Sequence, residues 1–146
     1  MKVVGPATAI VAASLALAAS ASAALTPSAY QARANAICQK ALDDDATLAR
    51  AGTHTTAQQA TYLTGLVRVF NAEYTALSAL QPPASLADAH RKALWADWYW
   101  LRSLAAVAKV PGTMYTPGNP AWATYYKLFA KKSKAWAATG ATACSD

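Results

Sequence analysis

The chain has 146 residues, 55% of them hydrophobic, a formal charge of +6 and two cysteines. That length fits one domain with a sizeable core, and two cysteines 106 positions apart exclude a C-x-x-C redox pair. Alanine accounts for 39 residues and favours helix while burying little area each, so the five Trp, seven Tyr and two Phe must supply most of the burial.

The first 23 residues read as a secretory leader. Lys2 gives the positive start, Val3 to Ala19 carries no charge, and Ala21-Ser22-Ala23 has the small-x-small form of a cleavage site. Cleavage after Ala23 leaves Ala24 to Asp146 as the domain. A retained membrane anchor is the rival, disfavoured by Gly5 and Pro6 inside the run. No cysteine stands at the cleavage point to take a lipid, and no later apolar run reaches the ~20 residues that a membrane span needs. The charge is uneven: Ala24 to Trp98 holds six bases and six acids, whereas Tyr99 onward holds six bases and Asp146 alone.

Four helices follow. The first starts at Thr26-Pro27, a cap followed by a first-turn proline, and stops at Gly52. The second starts at Thr55 or Thr56 and ends before Pro82-Pro83. The third starts at Ser85-Leu86-Ala87-Asp88, a relative of the capping box, and runs to about Val110. The fourth starts at Asn119-Pro120 and ends at Gly140. Their apolar stripes are Tyr30, Ala34, Ile37, Ala41 and Leu48; Leu63, Leu66, Phe70, Leu77 and Leu80; Leu86, Leu94, Trp98, Leu101 and Ala105; and Trp122, Tyr125, Tyr126, Phe129 and Trp136. Short connections between amphipathic helices predict an all-α, antiparallel four-helix bundle in up-down-up-down order.

In that topology the fourth helix ends where the first begins. Cys38 lies about 16 Å up the first helix at 1.5 Å per residue. A tail turning at Gly140 and running back extended carries Cys144 up by about the same 16 Å. A Cys38–Cys144 disulfide is therefore easy to form, and secretion makes it chemically expected.

Tyr30, Ala34, Ile37 and Cys38 spell Y-x-x-x-A-x-x-I-C. Leu80, Pro82 and Pro83 spell L-x-P-P, and Cys144 stands near the end. With the leader, this pattern resembles small, secreted, all-helical bacterial proteins of uncharacterised families. The resemblance implies secretion, a helical bundle and a disulfide from the first helix to the tail, and it carries no catalytic residue.

Candidate chemistry is sparse. Asp43-Asp44-Asp45 sits near a helix C-terminus, against the helix dipole, and Glu73, His90 and Asp97 lie at the edges of their stripes. Carboxylates and a histidine inside a bundle suggest a two-metal site. Heights along the helices argue instead for charge pairs, Arg33 with Glu73 at about 9 and 12 Å, and Asp44 or Asp45 with Arg102 at about 26 Å. His54 and His90 are isolated, and no nucleophile elbow, phosphate loop or haem-attachment motif occurs. In "ALWADWYWLRSL" Trp98 points to the core, Trp95 and Trp100 flank it about 140° apart, and Tyr99 points away. Lys127, Lys131, Lys132 and Lys134 lie beside aromatics on the fourth helix. The plain reading of those lysines is the solvated back of the helix; the functional one is contact with an anionic polymer or lipid.

The expectation is thus a secreted bundle with no cofactor, no metal and no catalysis, structural or binding in the cell envelope or outside the cell. Its partner would be an anionic envelope polymer or another envelope protein, not nucleic acid. The binding surface would be Trp95, Tyr99, Lys127, Lys131, Lys132 and Lys134. A metal-dependent enzyme at Asp44, Glu73, His90 and Asp97 is the remaining alternative.

Overall fold

The computed structural model describes residues 25–145 apart from Tyr115. The leader and its cleavage point lie outside the described residues. Four helices form: α1 (Pro27–Ala49), α2 (Thr56–Ser78), α3 (Ala87–Val107) and α4 (Pro120–Ala137), with 3-10 turns at Ala84–Leu86 and Thr142–Cys144. No strand occurs among the described residues.

The helix starts are set by short-range chemistry. Thr26 accepts from the Ala29 N–H ahead of α1, and Asn119 accepts from the Ala121 N–H ahead of α4, each with proline in the first turn where a missing N–H costs nothing. At α2 a full capping box forms, with Thr55 accepting from the Gln58 N–H while the Gln58 side chain accepts from the Thr55 N–H. The expected cap at Ser85 is absent. Pro83 leads into a 3-10 turn, and α3 starts after Leu86 with no side-chain cap. Helices α2 and α3 also end three residues earlier than the sequence suggested, at Ser78 and Val107. Gly140, at φ +77°, turns the chain out of α4 into the tail, and the side-chain amide of Gln31 packs where a Cβ would stand and donates to the Thr139 carbonyl.

Neighbouring helices pack in chain order, α1 on α2, α2 on α3 and α3 on α4, and the tail turn packs on both α1 and α4. Cys38 and Cys144 are joined, with Cα atoms 5.1 Å apart. Asn35 accepts from the Ala143 N–H beside this link, which fixes the tail along α1.

The interior has two apolar cores. One gathers Leu63, Leu66, Phe70, Trp100, Leu101, Leu104 and Trp122. The other gathers Ala34, Leu77, Ala93, Trp136 and the disulfide. Along each of α2, α3 and α4 a charged residue separates them: Glu73 between Phe70 and Leu77, Asp97 between Ala93 and Trp100, Lys132 between Phe129 and Trp136. All three are buried.

That layer corrects the expected face of α3. Its buried residues are His90, Ala93, Asp97, Trp100, Leu101, Ser103, Leu104 and Val107. Trp100 is core, not flank, and Trp98 is half-buried at the surface. On α4 Tyr126 leaves the apolar side and is exposed, whereas Lys132 enters it.

Candidate functional site

The buried charges meet at the centre of the molecule. Lys132 is 2% exposed. Its Nζ lies 4.0 Å from Glu73 Oε1 and 4.5 Å from the centre of the Trp100 ring, with Phe70 and Phe129 at 5.6 and 5.7 Å. The ammonium thus sits in an aromatic cage closed by a carboxylate, with cation–π attraction replacing part of its lost hydration. Asp97 accepts a 3.3 Å hydrogen bond from the Trp136 indole N–H. Burial pushes Glu73 up to about 7, against the pull of Lys132 and with a further push from Asp97. Burial likewise pushes Asp97 up to about 6, against Lys132 and the Trp136 bond.

This layer adjoins the disulfide. The sulfurs of Cys38 and Cys144 and a Glu73 oxygen lie within 4.8 Å of one another. With both sulfurs in the covalent link, no thiolate is present to bind a metal.

From the layer a chain of contacts leads outward. The Trp136 ring packs edge-on against His90 at 5.9 Å, and His90 Nδ1 lies 2.7 Å from the Tyr30 hydroxyl. Burial lowers the His90 imidazole from its ordinary value and raises the Tyr30 phenol, the latter offset in part by a hydrogen bond with Thr139. The pair is a neutral imidazole against a protonated phenol at neutral pH.

His90 in turn lines a cavity of about 530 Å³ between α2 and α3, walled by Tyr74, Leu80, Leu94, Trp95 and Trp98 with Ser78 and Arg91. Trp95 is 58% exposed and Tyr99 50%. Trp95, Trp98 and Tyr99 form one contiguous surface, with ring centres 5.0 to 6.2 Å apart. The Arg102 guanidinium lies over Trp98 at 4.8 Å. This volume lies within the usual range for small-molecule sites, and so does a mostly apolar wall with a few polar groups.

The structure divides the expected surface residues. Trp95 lines the groove, and Tyr99 packs against Trp95 and Trp98 outside its lining. Lys127, Lys131 and Lys134 are exposed on α4. Lys132 is not a surface residue: at the apolar face of α4 it is sealed beneath Phe129 and Trp100. The expected ion pairs are also rearranged. Glu73 faces Lys132 instead of Arg33, Asp44 pairs with Lys40 one turn away, Asp45 accepts from Tyr62, and Arg102 covers Trp98. Asp44, Glu73, His90 and Asp97 each have a different partner, and together they form no ligand set among the described residues. The groove residues Tyr74, Leu80, Leu94 and Arg91 were not singled out as a surface from sequence. The available signal was the aromatic stretch after Arg91.

Comparison with protein-family models, with characterised proteins and with solved structures finds no match to this chain.

Proposed function

We propose that the protein is a secreted binding module that acts without covalent chemistry and takes a small, largely apolar ligand in the groove between α2 and α3. The observation that carries this assignment is the groove itself: about 530 Å³, walled by Tyr74, Trp95 and Trp98 and floored by buried His90. Exposed tryptophan and tyrosine side by side leave apolar area in water that folding alone does not require. The disulfide fits an oxidising compartment, and among the described residues no helix is long and apolar enough to cross a membrane.

The antiparallel up-down-up-down order belongs to the same proposal. Gln59, near the start of α2, accepts from the Gly112 N–H just beyond α3. Tyr30 and His90, each in the first turns of α1 and α3, meet directly. Both contacts fit helices that alternate in direction.

A second assignment keeps a specific observation in its favour. Lys127, Lys131 and Lys134 are exposed on α4 beside Tyr126, which is 59% exposed. That face suits an anionic envelope polymer or another envelope protein.

The test is a fluorescence titration with N-phenyl-1-naphthylamine, an uncharged apolar dye. Saturable binding to the oxidised protein, weakened at least about tenfold by Trp95→Ala, supports the groove. No saturable binding, or binding unchanged by that substitution, refutes it.

A further inference from the structure

The lining of the groove carries no carboxylate. Arg91 is the one charged side chain lining it, and Arg102 lies beside it over Trp98. Arg91 pairs with Asp88 at 2.7 Å, but both side chains are largely exposed. Such a pair is worth little in water, so Arg91 can turn to a better anion at small cost. His90 is 95% removed from solvent, being 5% exposed, yet lines the cavity. Its Nδ1 is taken by the Tyr30 hydroxyl. With Tyr30 as the donor, the neutral ring carries its proton on Nε2, the nitrogen left for a ligand. Ser78 spends its hydroxyl proton on the Thr75 carbonyl. The groove therefore offers a guanidinium fork, an imidazole N–H and no carboxylate of its own, against aromatic walls.

We propose that the groove binds small aromatic monoanions, with the ring between Tyr74, Trp95 and Trp98 and a carboxylate held by Arg91 and His90. This rests on the groove being the binding site and adds the class of ligand. An aromatic acid matches both features at once. Its ring meets indole and phenol faces and edges, which favour offset and edge-on packing. Its carboxylate accepts two parallel N–H bonds from a guanidinium, which a neutral amide cannot do. A fully polar ligand such as a free sugar would leave the apolar wall wet, and a cation would face Arg91 and Arg102.

The experiment compares 2-naphthoate with 2-naphthamide, near-isosteric and differing in charge, by calorimetric titration of the oxidised protein at neutral pH. Wild type is expected to bind naphthoate about tenfold or more tightly than naphthamide. Arg91→Ala is expected to abolish that preference, bringing naphthoate to within about twofold of naphthamide in the same variant. Trp95→Ala is expected to weaken both. Arg91 and Trp95 are exposed, so neither change threatens the fold. Equal affinities in wild type, or a preference that survives Arg91→Ala, overturn the anion assignment and leave the groove as a neutral apolar site. Binding of neither compound overturns the groove itself.

Discussion

At the scale of single residues, the central fact is that three ionisable groups share a buried layer. Ion pairs in such places are seldom a gain over a well-packed apolar core, but losing one partner is expensive. Glu73 reports on this layer through pH. Its value in the fold, about 7, lies above its ordinary 4.5, so the fold favours its protonated form. The associated stability is fully present below the ordinary value and lost as pH rises through about 7. Asp97, raised from 3.8 to about 6, acts in the same sense at lower pH. His90 acts oppositely: its lowered value means that its contribution is present above 6.5 and lost as pH falls. Between pH 6.5 and 8, Glu73 dominates. Urea unfolding should show wild type losing on the order of 1 kcal/mol between pH 6.5 and 8. Glu73→Gln should flatten that slope, and an unchanged slope would show that Glu73 is not the titrating group.

At the scale of elements, three of the four helix starts were readable because they depend on two or three adjacent residues, whereas the cap expected at Ser85 does not form. Thr26-Pro27 and Asn119-Pro120 cap as their order suggests, and of the two starts open for α2 the structure takes Thr55, with Gln58 completing the box. Thr55→Ala removes one acceptor and half of the reciprocal pair, and should cost about 1 kcal/mol in thermal or urea unfolding. A loss near zero would show that Gln58, which also donates to the Ala51 carbonyl, holds this start alone. Which face of α3 turns inward was not readable. Its buried residues follow a regular helical stripe, but three of the eight are polar: His90, Asp97 and Ser103. A count of apolar residues steps over them and settles on Leu94 and Trp98, next to the true stripe. The same inversion hid Lys132, at a buried position between Phe129 and Trp136. The signals that fix those faces are the partners across the core: Glu73 for Lys132, Trp136 for Asp97, Tyr30 for His90. Such partners are remote in sequence. Of the groove, Trp95 alone is singled out from sequence as a surface residue. The groove's other wall, Tyr74 on α2 and Leu80 just beyond that helix, depends on how two helices meet.

At the scale of the molecule, the disulfide joins residues separated by 106 positions and ties the tail turn to α1. By the chain-entropy account, a loop that long constrains the unfolded chain by about 4–5 kcal/mol. A Cys38→Ala/Cys144→Ala double variant should lose stability of that order. It should also loosen the second core, where both cysteines pack with Ala34, Ala93 and Trp136. A loss below about 1 kcal/mol would show that the two cores hold the chain without the link. The groove lies where that second core meets the surface, with His90 bridging the two through Trp136, so the link also bears on the site.

The most direct measurement of the site is a map of amide and indole chemical shifts on titration with 2-naphthamide. The groove assignment predicts that the indole signals of Trp95 and Trp98 and the amides around Tyr74 and Arg91 move together and saturate, while Trp122, in the other core, stays in place. Shifts gathered instead at Lys127, Lys131 and Lys134, or no saturable shift at all, would contradict it.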